Sequence, residues 1–153
     1  MTTSSQHLTG DEFIERFERG LIAADSFHHA DHVRLAFEYL NRYPALEALK
    51  KFSDALLRFA TALGKADRYH ETITWAYLFL IRERMQRVAH RQTWEEFAVE
   101  NADLLAWAKG SFGILERYYL TDTLASPAAR CTFLLPDKSE VGRGMESARC
   151  GLQ

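Results

Sequence analysis

Cysteine is scarce: the chain has two in 153 residues, Cys131 and Cys150, with no C-x-x-C or zinc-finger spacing. Neither a disulfide framework nor a thiolate metal centre can be built from that pair, so cysteine chemistry is not expected at the heart of the function. A dominant charge is also lacking, because 19 Lys and Arg oppose 21 Asp and Glu for a net charge of −2. That balance leaves no electrostatic footprint for nucleic acid or an anionic membrane surface. The basic stretch "RERMQRVAHRQ" at 82–92 runs straight into the acidic "WEEFAVE" and reads as a solvated helix end.

Long apolar runs are missing. The longest, "WAYLFLI" at 75–81, is far too short to cross a bilayer. The opening "MTTSSQHLTGDEF" has neither a cationic start nor an apolar segment and does not read as a signal peptide. These absences predict a soluble, cytoplasmic protein whose partner is a small molecule, not nucleic acid or a membrane. No G-x-G-x-x-G, P-loop, G-x-S-x-G or H-E-x-x-H motif occurs, which removes the commonest sequence routes to a reaction.

Proline is rare, with three residues, and the long segments between them carry helical periodicity. Thr9 with Glu12 and Thr93 with Glu96 are capping-box pairs that open helices. A second helix is expected from an Asp25 or Ser26 cap to about Arg42, and a third from Pro44 at its first turn to before Gly64. A fourth is expected from near His70 to about Arg91. "ADLLAWA" and "ILERYYL" read as helical too, and Ser126 with Pro127 opens a short final turn. The fold expected is all-α: one compact helical bundle of about six to eight helices, several short, over 1–137. Residues 138–153 read as a flexible tail.

The chemistry-bearing residues gather at two helix starts. "FHHADH" places three of six histidines within five positions. On a helical wheel, Asp31, Arg34, Glu38 and Asn41 form a wet side, and Val33, Ala36, Phe37 and Leu40 an inward stripe. His29 and His32 fall on that stripe, whereas His28 lies on its flank. In the fourth helix His70 shares the inward stripe with Ile73, Thr74 and Tyr77, and Glu71 sits at its boundary. His7 and His90 read as surface residues.

Burial and the positive end of a helix both disfavour imidazolium, so the inward rings should be neutral. Neutral imidazole is the form that ligates transition metals. His29, His32 and His70 could therefore make a three-histidine set holding one metal ion, with positions left for water or substrate. Iron or copper is favoured over zinc, because no further carboxylate sits on an inward stripe to activate water. Glu71 would be a base or an outer partner. Tyr118 and Tyr119 are candidate catalytic hydroxyls, and Arg130, Tyr77 and Thr74 candidate substrate contacts. The structural alternatives are core tyrosines, and an Arg130 that ties the C-terminal turn to a helix end. Trp75, Trp94 and Trp107 read as packing residues.

Four segments, F-x-H-x-x-H from Phe27, "YHET-x-T" from Tyr69, "YY" at 118–119 and "AR-x-x-F-x-x-PD" from Ala129, span about 110 residues. Together they resemble a group of small, mostly uncharacterised bacterial helical proteins. The resemblance supports the choice of residues and implies no established activity. The leading expectation is a metal-dependent enzyme acting on a small organic molecule, with redox chemistry slightly favoured. The alternatives are a metal-free enzyme that shuttles protons through His70 and Glu71, and a binding module whose histidines are structural.

Overall fold

The structure, a computed structural model, describes residues 7–139. Cys150 and all but the first two residues of the expected 138–153 tail lie outside them. The described residues form eight α-helices and no strand, within the expected six to eight. They are α1 (Gly10–Glu18), α2 (His29–Arg42), α3 (Ala45–Ala62), α4 (Glu71–Gln86), α5 (Trp94–Glu100), α6 (Ala102–Leu105), α7 (Thr121–Leu124) and α8 (Pro127–Cys131). Three short 3₁₀ turns connect them at Ala24–Ser26, Ala66–Arg68 and Gly113–Arg117. No helix among the described residues is long and apolar enough to cross a membrane.

Local caps set several boundaries. Thr9 accepts a hydrogen bond from Glu12 N at 3.2 Å, and Glu12 Oε2 accepts from Thr9 N at 2.9 Å, which satisfies two donors at the start of α1. Thr93 and Glu96 do the same for α5, and Ser126 caps α8 with Pro127 at its first position. Other boundaries depart from expectation. Asp25 and Ser26 belong to a 3₁₀ turn, and α2 begins only at His29, with His28 as its cap and its backbone N–H held by Asp31 at 2.9 Å. Pro44 caps α3 from outside, α4 stops at Gln86, and "ILERYYL" is largely a 3₁₀ turn.

Helix α2 is the central element, packed against α1, α3, α4, α5 and α6. Its fully enclosed Val33, Leu35, Ala36 and Tyr39 show why: a helix covered on most sides must be apolar beyond a single stripe. Each large aliphatic side chain buried this way contributes about 1.5–3 kcal/mol relative to exposure.

The supposed wet side of α2 is a correction. Arg34 and Glu38 are only 5% and 7% exposed, because α1 lies across them. Arg34 donates to the Leu8 carbonyl at 2.6 Å and sits over the Phe13 ring, while Glu38 accepts from Arg42 at 2.7 Å. Arg42 also pairs with Asp11 of α1. Gly10 makes the approach possible, since a Cβ there would lie 2.0 Å from a Glu38 carboxylate oxygen. Charged residues are tolerated inside when every charge is matched.

Candidate functional site

The starts of α2 and α4 do meet in space. Between them, walled on a third side by α3, lies a cavity of about 810 Å³. His29, His32 and His70 all line it, with Thr74 and Tyr77 of α4 and the ring of Trp107. Phe27, Phe52, Leu56 and Phe59 supply an apolar wall, and Phe27 packs edge-on against Phe59 at 5.1 Å between centroids.

Each histidine is committed differently. His70 caps α4: its Nδ1 accepts the Ile73 N–H at 3.1 Å, while Nε2 donates to the Leu124 carbonyl at 2.7 Å. One nitrogen accepts and the other donates, so the ring is neutral in a fixed tautomer and both nitrogens are engaged. Burial holds its pKa below the usual histidine value, the Leu124 carbonyl opposes that, and Arg130 adds to it.

His29 donates Nε2–H to the Leu104 carbonyl at 2.8 Å, which leaves Nδ1 as its acceptor. Its ring stacks on Trp107, with centroids 4.6 Å apart, and meets Tyr77 edge-on at 4.9 Å. Burial lowers its pKa, and the Leu104 carbonyl acts the other way. His32 donates Nδ1–H to the His28 carbonyl at 3.0 Å and packs on Phe27, leaving Nε2 as its acceptor. Burial drives its pKa down to about 4; the His28 carbonyl opposes this, His29 reinforces it and Asp31 opposes it.

The expected three-histidine ligand set is therefore not assembled. Among the described residues, no three His, Cys, Asp or Glu side chains are grouped so as to hold a metal ion. The physical reason lies in His70, whose lone pair is already spent on the first turn of its own helix. The inward orientation and neutrality of the three rings agree with expectation. Their grouping into one ligand set is not found among the described residues.

The remaining candidates divide in two. Tyr77 and Thr74 are cavity residues; the Tyr77 hydroxyl sits 3.5 Å from the Phe112 carbonyl oxygen, and burial raises its pKa. Glu71 is half-buried and lies beside the Tyr69 hydroxyl, not in the cavity wall. Burial, then the Glu71 carboxylate, pushes Tyr69 up to about 12, so its hydroxyl stays protonated.

Tyr118, Tyr119 and Arg130 lie away from the cavity lining. Tyr119 is buried and donates to the Leu134 carbonyl at 2.8 Å, and Tyr118 is exposed. Arg130 donates to the Asp67 carbonyl at 2.7 Å, the structural alternative raised for it. The Tyr119 hydroxyl and the Tyr118 carbonyl, which accepts from Lys138 N at 3.0 Å, hold a strap, 132–138, that follows α8 and is laid across α4. Phe133 stacks on Trp75 at 5.4 Å, and Asp137 accepts from Leu120 N at 2.9 Å and from the Thr123 hydroxyl.

Sequence reasoning missed Lys65, Arg68 and Phe59 as cavity residues, and it read Trp107 as packing. A signal existed for Lys65 and Arg68 alone, since "KADRYH" sets both cations just before the His70 cap. Trp107 follows α6 in an irregular segment, where helical periodicity gives no direction. No protein-family model, curated protein or solved structure matches the chain.

Proposed function

We propose that the chain acts on a small organic molecule held in the cavity between the starts of α2 and α4, by proton transfer with His29 as the acceptor. The observation that carries this is the state of His29. Its Nε2–H is fixed on a backbone carbonyl, its ring is held by Trp107 and Tyr77, and Nδ1 is left to accept. An imidazole oriented by one partner and open at its other nitrogen has the arrangement of a general base. His32, at about 4, is too weak a base to take protons efficiently near neutrality and serves as a hydrogen-bond acceptor. Thr74 offers a hydroxyl on the same cavity wall, and the Tyr69 hydroxyl, kept protonated beside Glu71, lies next to it.

A metal-dependent reaction through His29, His32 and His70 would require His70 to give up its cap on α4. The metal-free reading is favoured for that reason.

The test is deuterium wash-in from D₂O, followed by NMR, across a panel of simple ketones, hydroxyketones and oxo acids. Wash-in lost in His29→Gln and unaffected by chelator is the expected result. Wash-in that survives His29→Gln in the folded variant, or no wash-in anywhere in the panel, would overturn the proton-transfer assignment. Elemental analysis of untagged protein adds an independent check. One equivalent of a transition metal would restore the metal-dependent alternative.

A further inference from the structure

The cavity lining has an asymmetry of charge that the proton-transfer reading does not use. Twenty-one residues border the space, and they include Lys65 and Arg68 but no aspartate or glutamate. Both cations are exposed, at one edge of an otherwise largely apolar enclosure. Among the described residues, neither side chain makes a salt bridge or a hydrogen bond. By contrast, Arg34, Arg42, Arg84 and Arg87 all do.

The segment that carries them is built firmly. Arg68 N donates to the Lys65 carbonyl at 2.9 Å and Tyr69 N to the Ala66 carbonyl at 3.1 Å, closing the 3₁₀ turn Ala66–Arg68. Lys65 N donates back to Ala60 at the end of α3 at 2.8 Å, and His70 follows at once as the cap of α4. Arg130 braces the same turn from outside through the Asp67 carbonyl. Two cations are thereby set three residues apart on a fixed turn, with an aromatic wall of Phe27, Phe52 and Phe59 on the same enclosure.

From this juxtaposition we infer that the molecule taken up is an amphipathic organic anion. Its carboxylate, sulfonate or phosphate-ester group is held by Lys65 and Arg68, and its apolar body lies along Phe27, Phe52, Leu56 and Phe59. The neutral histidines fit such a guest: the acceptor nitrogens of His29 and His32 offer hydrogen bonds in the cavity without drawing the anion away from the edge. A cavity of this volume is of the size that encloses drug-sized ligands. The inference names the ligand class for the cavity proposed above and rests on that cavity being the site.

A matched pair of fluorescent probes tests it. 8-Anilinonaphthalene-1-sulfonate is an apolar anion, and N-phenyl-1-naphthylamine is its uncharged counterpart. Lys65→Gln/Arg68→Gln is expected to weaken the sulfonate about tenfold and the uncharged probe less than twofold. Added salt should weaken sulfonate binding in the parent protein and much less in the double variant. Equal loss of both probes, or sulfonate affinity unchanged by the double variant, overturns the inference while leaving the cavity as the site. Ala60→Trp, which places an indole in the enclosure, is expected to abolish both probes. If both still bind that variant, or neither binds the parent protein, the cavity reading itself falls.

Discussion

His70 and Leu124, 54 residues apart, are joined by a 2.7 Å hydrogen bond from the imidazole Nε2 to the backbone carbonyl. The same ring caps α4 through Nδ1, so one side chain fixes a helix start and ties it to α7. His70→Ala removes both bonds and leaves a carbonyl of a fully buried residue without its partner. A loss of roughly 2–4 kcal/mol in urea unfolding is expected. His70→Asn, which keeps a capping oxygen but cannot reach Leu124, should fall between the two. A change below about 0.5 kcal/mol for His70→Ala would show that the cap and the tie do not hold α4, as this arrangement requires.

Acid should loosen the molecule through its histidines. His32 is held near 4 in the folded state against about 6.5 when unfolded, so between those values the unfolded chain binds more protons. Stability from this group is complete above about pH 6.5, falls as pH drops through the window, and levels off below about 4. The full loss amounts to roughly 3 kcal/mol. His29 and His70 are shifted in the same direction and add to it. Urea midpoints between pH 7.5 and 4.5 check this, with His32→Gln expected to flatten the slope. An unchanged slope in that variant would place the acid sensitivity elsewhere.

Thr72 is fully enclosed, donates its hydroxyl to the Thr132 carbonyl at 2.7 Å and accepts from Leu134 N at 3.1 Å. It pins the strap to α4 from both sides. Thr72→Val keeps the shape but strands a backbone donor and acceptor, at an expected cost of about 2 kcal/mol. Thr72→Ser, which retains the hydroxyl, should lose less. Hydrogen exchange is expected to quicken over 132–138 in the valine variant and little in α2. Uniform quickening would mean that the strap and the bundle open as one unit.

What the sequence disclosed follows the range of the interaction. Thr9, Thr93 and Ser126 cap helices through partners three residues away, so their roles are visible in short strings. The inward facing of His29 and His32 is likewise local, set by 100° per residue, and that of His70 by its place as the cap just before α4. Their partners are not local. The Leu104 and Leu124 carbonyls come from segments with no periodic signature, and without them a capping histidine cannot be told from a ligand. Arg34 and Glu38 misled for a related reason: two charges one turn apart look solvated until another helix is known to cover them. The "YY" and "AR-x-x-F-x-x-PD" residues, far apart in sequence, meet at the strap, through Tyr119 to Leu134 and Asp137 to Leu120.

The stacking of Trp107 on His29 also gives the cavity an optical label of its own. The other indoles sit apart, Trp75 beneath the strap against Phe133 and Trp94 against Phe37 and Phe97. With Trp75 and Trp94 replaced by Phe, the remaining emission would come from a ring in contact with the proposed base. Entry of a guest, protonation of that imidazole and opening of the cavity wall would each register there as a change in brightness or colour.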